Sequence, residues 1–403
     1  MIDKFEARPY LLKNSIQNYA WGTKGEDAFI PRLVGVEAQN DTPYAELWIG
    51  AHPKAPSYVK INDEGYPLNE LIKQFPEEIL GNHIIEKFGN TLPYLLKVLS
   101  INQALSIQVH PSKQLAGILH KKDPQNYPDD NHKPEIAVAI DSLQAIVGFK
   151  PVDEIRNILN TYPALKELVG NEIYTLFNSE KRVEENDLLK QLYSAVMLGS
   201  EERLSECVEQ IKAHIGNKIE RSEEENQFLI QYETYGIDAG LISILIFNMV
   251  TLKPGEAIFT KDGVPHAYIK GNIIECMANS DNVVRAGLTP KFKDVETLLD
   301  MLTYEGAKPE IILPEGANPL SYSTPAEEFQ LTKYSFDKDG TEKFTNNNEL
   351  LIGLVLKGKV SITSEYSESL VLASGMACLI PASLKEFQFS FVAETCLVLV
   401  KVP

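Results

Sequence analysis

Cysteine is scarce in this chain of 403 residues, and the four cysteines lie far apart, at Cys207, Cys276, Cys378 and Cys396. No two of them have the C-x-x-C spacing of a zinc-binding or redox motif, and four cysteines in this length exclude a disulfide-dense framework. This usage is typical of a reducing compartment, and we expect a cytoplasmic protein.

Long hydrophobic runs are also missing. The longest strongly apolar stretch, residues 241–250, is far shorter than the ~20 residues that a membrane-spanning helix needs. The first 14 residues have no apolar core of the kind found in a secretory signal. We therefore expect no membrane association.

Positive charge is in deficit, because 38 Lys and Arg residues stand against 56 Asp and Glu residues, for a formal net charge of -18. Such a surface repels nucleic acid, and the sequence contains no basic tract to offset it. If the substrate is an anion, its site needs several Lys or Arg side chains to overcome the negative electrostatic potential of the protein.

Strand and helix patterns alternate along the chain in blocks. Short apolar runs between Gly and Pro turns predict strands in the first 150 residues, and four amphipathic segments predict helices between residues 152 and 231. A strand pattern returns at 241–259 and continues beyond residue 306. We predict a mainly β protein with a helical insert, divided into a discontinuous β domain (1–150 and 236–310), the helical insert (151–235) and a C-terminal β domain (311–403).

A weak internal similarity suggests a duplicated barrel. The segments that start at Gly255 and Gly375 both have a turn, a strand and a turn containing Pro, as in barrels and jelly rolls. All seven histidines lie at or before His266, so the second barrel would have no imidazole for a metal.

Four polar residues form a candidate metal site. Gln108 and His110 alternate along one strand and so face the same side, Glu135 stands at the entrance of another strand, and His266 follows a Pro at a turn. Two imidazoles, a carboxylate and an amide oxygen suit Zn²⁺. From spacing alone these residues could equally be structural and bind no metal, because a lone strand histidine is more often a hydrogen-bonded core residue and Gln is an uncommon ligand.

Longer motifs favour the metal-site interpretation, because they resemble those of a known family. The chain resembles the type I phosphomannose isomerase family in five segments: AELWIGAHP (45–53), LLK (95–97), SIQVHP (106–111), YPDDNHKPE (127–135) and HAYIKGNIIECMANSDNVVRAGLTPK (266–291). These motifs lie within residues 14–150 and 236–300. The helical insert and the C-terminal region resemble the family in placement and length more than in motif.

The resemblance implies a fold and an activity. The fold would contain two cupin-type jelly-roll β-barrels, the second degenerate, plus an α-helical domain. The activity would be a zinc-dependent aldose–ketose isomerisation that interconverts D-mannose 6-phosphate and D-fructose 6-phosphate through a metal-stabilised enediol, with one Zn²⁺ per chain. The implied partner is a small sugar phosphate, and we expect a monomer, with an oligomer left open.

The resemblance also implies residue roles. The zinc ligands would be Gln108, His110, Glu135 and His266. The catalytic residues would be Arg285, Glu275 and Lys133, and the substrate-binding residues would be Ser106, Lys97, Tyr268, Lys291, Glu46 and Trp21. The base that takes the C2 proton stays open between Glu275, Lys133 and a zinc-bound water.

Several alternatives remain at this point. Arg285 could form a structural ion pair with Asp281, and Glu275 could be a hydrogen-bonded strand carboxylate. Lys97 lies in an apolar strand, where an unpaired charge is costly, so we expect it to be paired and to point into the pocket. We expect His52, His120 and His132 to be structural. A cupin metal oxygenase with iron and a non-catalytic sugar-phosphate binder are the competing functions.

Overall fold

The structure is a computed structural model that describes residues 2–179, 183–365 and 367–403. It is rich in β-sheet, with helices grouped mainly in one stretch of the chain. In chain order the strands are β1 (Tyr10–Lys13), β2 (Ser15–Gln17), β3 (Glu46–Gly50), β4 (Tyr58–Ile61), β5 (Glu64–Pro67), β6 (Tyr94–Ile101), β7 (Ile107–Val109), β8 (Glu135–Ala139), β9 (Leu143–Phe149), β10 (Phe247–Leu252), β11 (Ala257–Thr260), β12 (His266–Ala278), β13 (Val284–Gly287), β14 (Leu320–Tyr322), β15 (Gln330–Phe336), β16 (Gly340–Thr345), β17 (Leu351–Lys357), β18 (Lys359–Ser364), β19 (Ser367–Ala373), β20 (Ala377–Ile380), β21 (Glu386–Phe391) and β22 (Thr395–Lys401). The helices are α1 (Phe29–Val34), α2 (Leu68–Gln74), α3 (Pro76–Ile79), α4 (Asn82–Phe88), α5 (Lys113–Lys122), α6 (Val152–Thr161), α7 (Pro163–Val169), α8 (Asn171–Phe177), α9 (Glu185–Met197), α10 (Glu201–Gly216), α11 (Glu223–Tyr235), α12 (Ala239–Ile246) and α13 (Val295–Met301), with a 3-10 turn at Gly25–Asp27.

Strand β12 is the centre of a ten-stranded sheet. Its first half pairs with β7 and β9, and its second half pairs with β6 and β8. The change of partners occurs at Gly271, which has a φ of +133°, and a Cβ there would lie 2.4 Å from the carbonyl oxygen of Ser142. Only glycine accepts both conditions, and the long strand can therefore contribute residues to two neighbouring strand pairs.

A second, eight-stranded sheet joins the two ends of the chain. Its order is β14-β15-β22-β17-β20-β1-β4-β5, so three N-terminal strands continue a sheet built from C-terminal strands. In the junction Leu11 pairs with Cys378, and Leu12 pairs with Val59 on the other side. A four-stranded sheet, β16-β21-β18-β19, completes the C-terminal part. The division of the chain into domains stays a prediction.

The helices α6 to α12 lie between β9 and β10. Helix α9 buries Leu188, Leu189, Leu192 and Val196, as the helical spacing predicts. The strand prediction for residues 241–246 is wrong, because they belong to α12, whose residues are all buried. A short apolar run that is buried on every side has no periodicity to separate helix from strand. None of the described helices is long and apolar enough to cross a bilayer.

Candidate metal centre and active site

Three side chains from three strand ends meet in the ten-stranded sheet. His110 follows β7, Glu135 begins β8 and His266 begins β12. The Nε2 atom of His266 lies 2.9 Å from Oε1 of Glu135, and Nε2 of His110 lies 3.4 Å from Oε2 of the same carboxylate. All three are essentially inaccessible to solvent. Their donor atoms lie within 4.8 Å of one another, which is the spacing of ligands around one ion.

The hydrogen bonds of the two imidazoles orient them as ligands. Nδ1 of His110 is 2.9 Å from the carbonyl oxygen of Asn282, and Nδ1 of His266 is 3.0 Å from that of Val264. Each Nδ1 therefore donates to a carbonyl, and each Nε2 keeps a lone pair that faces Glu135. Among the described residues, neither Nε2 nor Oε2 of Glu135 has a hydrogen-bond partner. Three converging buried atoms without partners are costly, and a divalent cation satisfies them; this donor set fits Zn²⁺.

Gln108 lies directly beside this cluster. Its partner in β12 is His266, and its partner in β13 is Arg285. Residues directly opposite in antiparallel strands point to the same face, so Gln108 and Arg285 share the face of His266. The role of Gln108 as a fourth ligand stays a prediction, and the register is compatible with it.

The electrostatics hold the cluster in its metal-binding protonation state. Burial, together with the neighbouring Lys133 ammonium, lowers the pKa of His110 to about 4, so this imidazole is neutral at pH 7. Burial alone would raise the pKa of Glu135, but Lys133 and the two histidines outweigh it and hold the pKa well below its usual range. A neutral imidazole and an ionised carboxylate are the forms that bind metal.

Lys97 is buried between two carboxylates. Its Nζ lies 3.1 Å from Oε2 of Glu275 and 3.6 Å from Oε2 of Glu46, and the Trp48 ring is 5.3 Å away. The indole N–H of Trp48 donates to Glu46. Burial opposes the charge on Lys97, but Glu46 and Glu275 outweigh burial and raise its pKa above the usual value. The expectation that Lys97 is paired is confirmed.

Burial raises the pKa of Glu275 despite the neighbouring ammonium of Lys97. Tyr268 and Lys133 both contact Glu135, one of the candidate metal ligands. The Tyr268 hydroxyl donates to Oε1 of Glu135 at 3.2 Å, and Nζ of Lys133 lies 3.7 Å from Oε2. The structure therefore places Tyr268 and Lys133 against the Glu135 carboxylate, and Lys97 against those of Glu275 and Glu46.

Arg285 is half-buried on β13 and makes no ion pair within the described part of the chain. Burial lowers the pKa of its guanidinium. The alternative of a structural pair with Asp281 is wrong, because Asp281 lies 2.8 Å from Nζ of Lys54 and 3.4 Å from Nε2 of His52. The Arg285 charge remains free for an anion.

Three predicted substrate residues lie at the edge of this group. Ser106 is half-buried immediately before β7. Trp21 is half-buried, and its ring stacks with that of Tyr19 at a centroid distance of 6.1 Å. Lys291 is exposed beyond β13. No hydrogen bond or ion pair joins these three side chains to the candidate ligands in the described ranges, and their roles stay predictions.

Sequence reasoning missed Asp129 and Asn282. The Asp129 carboxylate accepts hydrogen bonds from the Ser280 hydroxyl at 2.8 Å and from the Asp281 backbone at 2.7 Å. The side-chain amide of Asn282 donates to the same carboxylate at 3.0 Å, and the backbone carbonyl of Asn282 accepts from Nδ1 of His110. Asp129 thus ties the loop before Glu135 to the segment that orients His110. Both residues lie inside the long motifs, which was the available signal.

Comparison with known proteins places these residues in a family. Residues 10–152 match the profile of the type I phosphomannose isomerase catalytic domain, and residues 318–399 match that of the mannose-6-phosphate isomerase cupin domain. Mannose-6-phosphate isomerase from Schizosaccharomyces pombe is 37% identical over 395 residues, 93% of this chain and 95% of the relative. The Ogataea parapolymorpha enzyme is 40% identical over 392 residues, 89% of each chain.

Solved structures agree over nearly the whole chain. A variant of phosphomannose isomerase from Salmonella typhimurium superposes with a TM-score of 0.86 at 31% identity, covering 97% of this chain and 98% of that one. A mannose 6-phosphate isomerase bound with zinc and yttrium superposes with a TM-score of 0.85 at 30% identity, with the same coverage.

Proposed function

The chain belongs to the type I phosphomannose isomerase family and is an isomerase, and from this premise we propose that it interconverts D-mannose 6-phosphate and D-fructose 6-phosphate. One observation carries the proposal. Buried donor atoms of His110, Glu135 and His266 converge without hydrogen-bond partners in the described residues, close to basic side chains. In a chain of net charge -18, the basic side chains balance the carboxylates of this site, and a divalent cation there would give the positive excess that suits an anionic sugar phosphate.

We assign one Zn²⁺ per chain to this cluster, with Gln108, His110, Glu135 and His266 as ligands. When bound, the ion supplies a Lewis acid that stabilises negative charge on oxygen in an enediol. Three neutral ligands and one carboxylate leave the site with net positive charge, which strengthens that effect. The zinc in the similar solved structure supports the choice of metal.

Arg285, Glu275 and Lys133 are the catalytic residues in this proposal. Arg285 keeps its charge, has no carboxylate partner in the described residues and faces the side of Gln108, so it stabilises developing negative charge. Glu275 takes the proton from C2 and returns it to C1, because burial raises its pKa above the usual value and makes the carboxylate a stronger base. Lys133 is paired with Glu135, so a role in holding the substrate anion suits it better than that of the base.

The remaining predicted residues bind the substrate. The buried group of Lys97, Glu46 and Tyr268 offers donors and acceptors for sugar hydroxyls, and the outer residues serve the phosphate and the rim. These outer residues are Ser106, Lys291 and Trp21.

We also propose the finer architecture and setting. The two cupin-type jelly-roll barrels are formed mainly by residues 1–150 with 236–310 and by residues 311–403, around the helical insert at 151–235. The second barrel is degenerate, since no histidine follows His266. We propose a cytoplasmic monomer.

A coupled assay for fructose 6-phosphate formed from mannose 6-phosphate tests the function. Native, chelated and zinc-restored protein are compared, with His266→Ala and Arg285→Ala as site variants. Arg8→Ala is the control, since Arg8 contacts Glu6 at 2.9 Å and the Tyr10 ring at 4.3 Å. We expect chelation to abolish turnover and zinc to restore it. Full turnover by metal-free protein removes the metal from the proposal, and oxygen consumption without isomerisation favours the oxygenase alternative.

A further inference from the structure

Glu328 reaches from the C-terminal part of the chain to the loop that precedes Glu135. It lies in the segment between β14 and β15 and is 6% exposed. Its Oε1 is 2.6 Å from Nε2 of His132, and its Oε2 has no hydrogen-bond partner within the described residues. Because a carboxylate only accepts hydrogen bonds, the imidazole is the donor. A buried carboxylate is costly without a partner, and His132 is the side chain that bonds it.

The chain that leads into the Glu328 segment is attached to the strands of the candidate site. Ile312 exchanges two backbone hydrogen bonds with Ala257 in β11, at 2.8 and 2.9 Å. The Tyr322 hydroxyl donates to the carbonyl of Gly255 at 2.9 Å. Strand β11 in turn pairs with β8, where Thr260 is opposite Glu135. The C-terminal segment is thus fixed to the same pair of strands that carries a candidate ligand.

His132 links the Glu328 segment to the loop that precedes Glu135. It precedes Lys133 directly and lies three residues before Glu135 in the loop 128–134. On one side Asp129 ties the loop to Ser280 and the segment after it. On the other side, the ring of His132 is held by Glu328. The loop is therefore clamped from two parts of the chain that are distant in sequence.

We propose that Glu328 is a positioning residue, which holds the loop 128–134 through His132 and thereby sets the positions of Lys133 and Glu135. This inference rests on the proposed function for the identity of the metal and substrate. It gives the C-terminal part of the chain a task in the active site, beyond covering it. It does not make Glu328 a catalytic residue, since its contact is with His132.

The test compares three variants of the full-length, zinc-loaded protein. Glu328→Ala removes the contact, and Glu328→Gln keeps a hydrogen-bond acceptor for His132. Glu327→Gln is the matched control, because the neighbouring side chain is largely exposed and pairs with Lys87 at 3.3 Å. The measurements are the rate of zinc release to a chelator, amide hydrogen exchange of the peptides 127–135 and 185–197, and kcat and KM separately.

For Glu328→Ala we expect zinc release to accelerate ~10-fold, the lower end of the effect of removing an outer partner of a metal site. Exchange should rise in the peptide 127–135 and not in 185–197, within α9. Glu328→Gln should recover most of the zinc retention, and Glu327→Gln should behave as wild type. Zinc release and loop exchange at wild-type rates in Glu328→Ala would overturn the inference, and so would an equal rise of exchange in both peptides without recovery by Gln.

The kinetic constants separate this inference from the function on which it rests. If the wild-type protein retains zinc but does not isomerise mannose 6-phosphate, the proposed function fails. Zinc release and loop exchange then still decide whether Glu328 positions the loop. If the wild type is active, we expect kcat to fall in Glu328→Ala more than KM rises, because the candidate metal ligand is displaced.

Discussion

Replacing Lys97 by Met should destabilise the protein more than the same replacement of an exposed lysine on the surface. The ammonium lies 3.1 Å from Glu275 and 3.6 Å from Glu46, and the side chains of all three are at least nine-tenths buried. Methionine fills a similar volume but leaves two carboxylates close together without a cation. Breaking a buried ion pair in this way typically costs about 3–5 kcal/mol. We expect a loss of that size in the free energy of unfolding at pH 7.

The loss of stability in Lys97→Met should depend on pH, and the ionisation of Glu275 determines whether it grows or shrinks as the pH rises. Its pKa in the folded protein is raised by burial, so its ionisation reduces stability as the pH rises through that pKa. Without Lys97 this pKa rises further, so the variant should lose less stability as the pH falls and Glu275 takes up a proton. The contribution of Lys97 itself is complete below its unfolded pKa and is lost only in strong alkali, because its folded pKa is raised.

Urea denaturation of the zinc-loaded protein at several pH values measures the effect. Lys308→Met is the matched control, since Lys308 pairs with Glu154 at 2.7 Å while both side chains are exposed, and it should cost less than about 1 kcal/mol. Adding Glu275→Gln to Lys97→Met should restore part of the stability. A loss below about 1 kcal/mol, equal at all pH values, would refute the view that these three groups form one electrostatic unit.

Other perturbations address the remaining parts of the site. His266→Ala should abolish stoichiometric zinc, measured by elemental analysis, since it removes one of the converging donor atoms; zinc retained at one per chain would contradict the ligand assignment. Arg285→Ala should keep its zinc and lose ~10²-fold in kcat, as when one donor to a developing oxyanion is removed; unchanged kcat would remove Arg285 from the mechanism. Asp129→Ala should lower the unfolding temperature and speed zinc loss to a chelator, because Asp281 and Asn282 lose their acceptor; an effect on neither would show that this loop is held by other contacts.

The candidate site was accessible from the sequence because its residues lie in long local motifs. The strand that contains Gln108, the strand that begins at Glu135 and the turn before His266 were placed correctly, although the first strand ends one residue before His110. What the motifs could not provide was the reason for convergence, which is the pairing of β12 with β7 and β8. Pairing between strands more than a hundred residues apart leaves no local signal.

The rest of the fold shows the same limit. Buried and more exposed residues alternate along strand β1, as in many strands. Nothing in that pattern indicates that β1 pairs with β20, more than 360 residues later. Helix α12 was predicted as strand because uniform burial erases periodicity. Glu328 has no motif of its own, and its importance appears only when His132 is found 2.6 Å away. For β1 and Glu328 the missing information is the identity of a distant partner.

The charges of the site suggest why metal and substrate belong together in so acidic a protein. Three buried or half-buried cations face three buried carboxylates, and His110 is neutral, so the group has no excess charge of its own. The cations are Lys97, Lys133 and Arg285, and the carboxylates are Glu46, Glu135 and Glu275. A phosphate dianion entering this balanced group from a surface of net charge -18 needs a positive excess. A divalent cation at the candidate ligands would provide this excess, so under the proposed function the same ion would polarise the sugar and attract its phosphate.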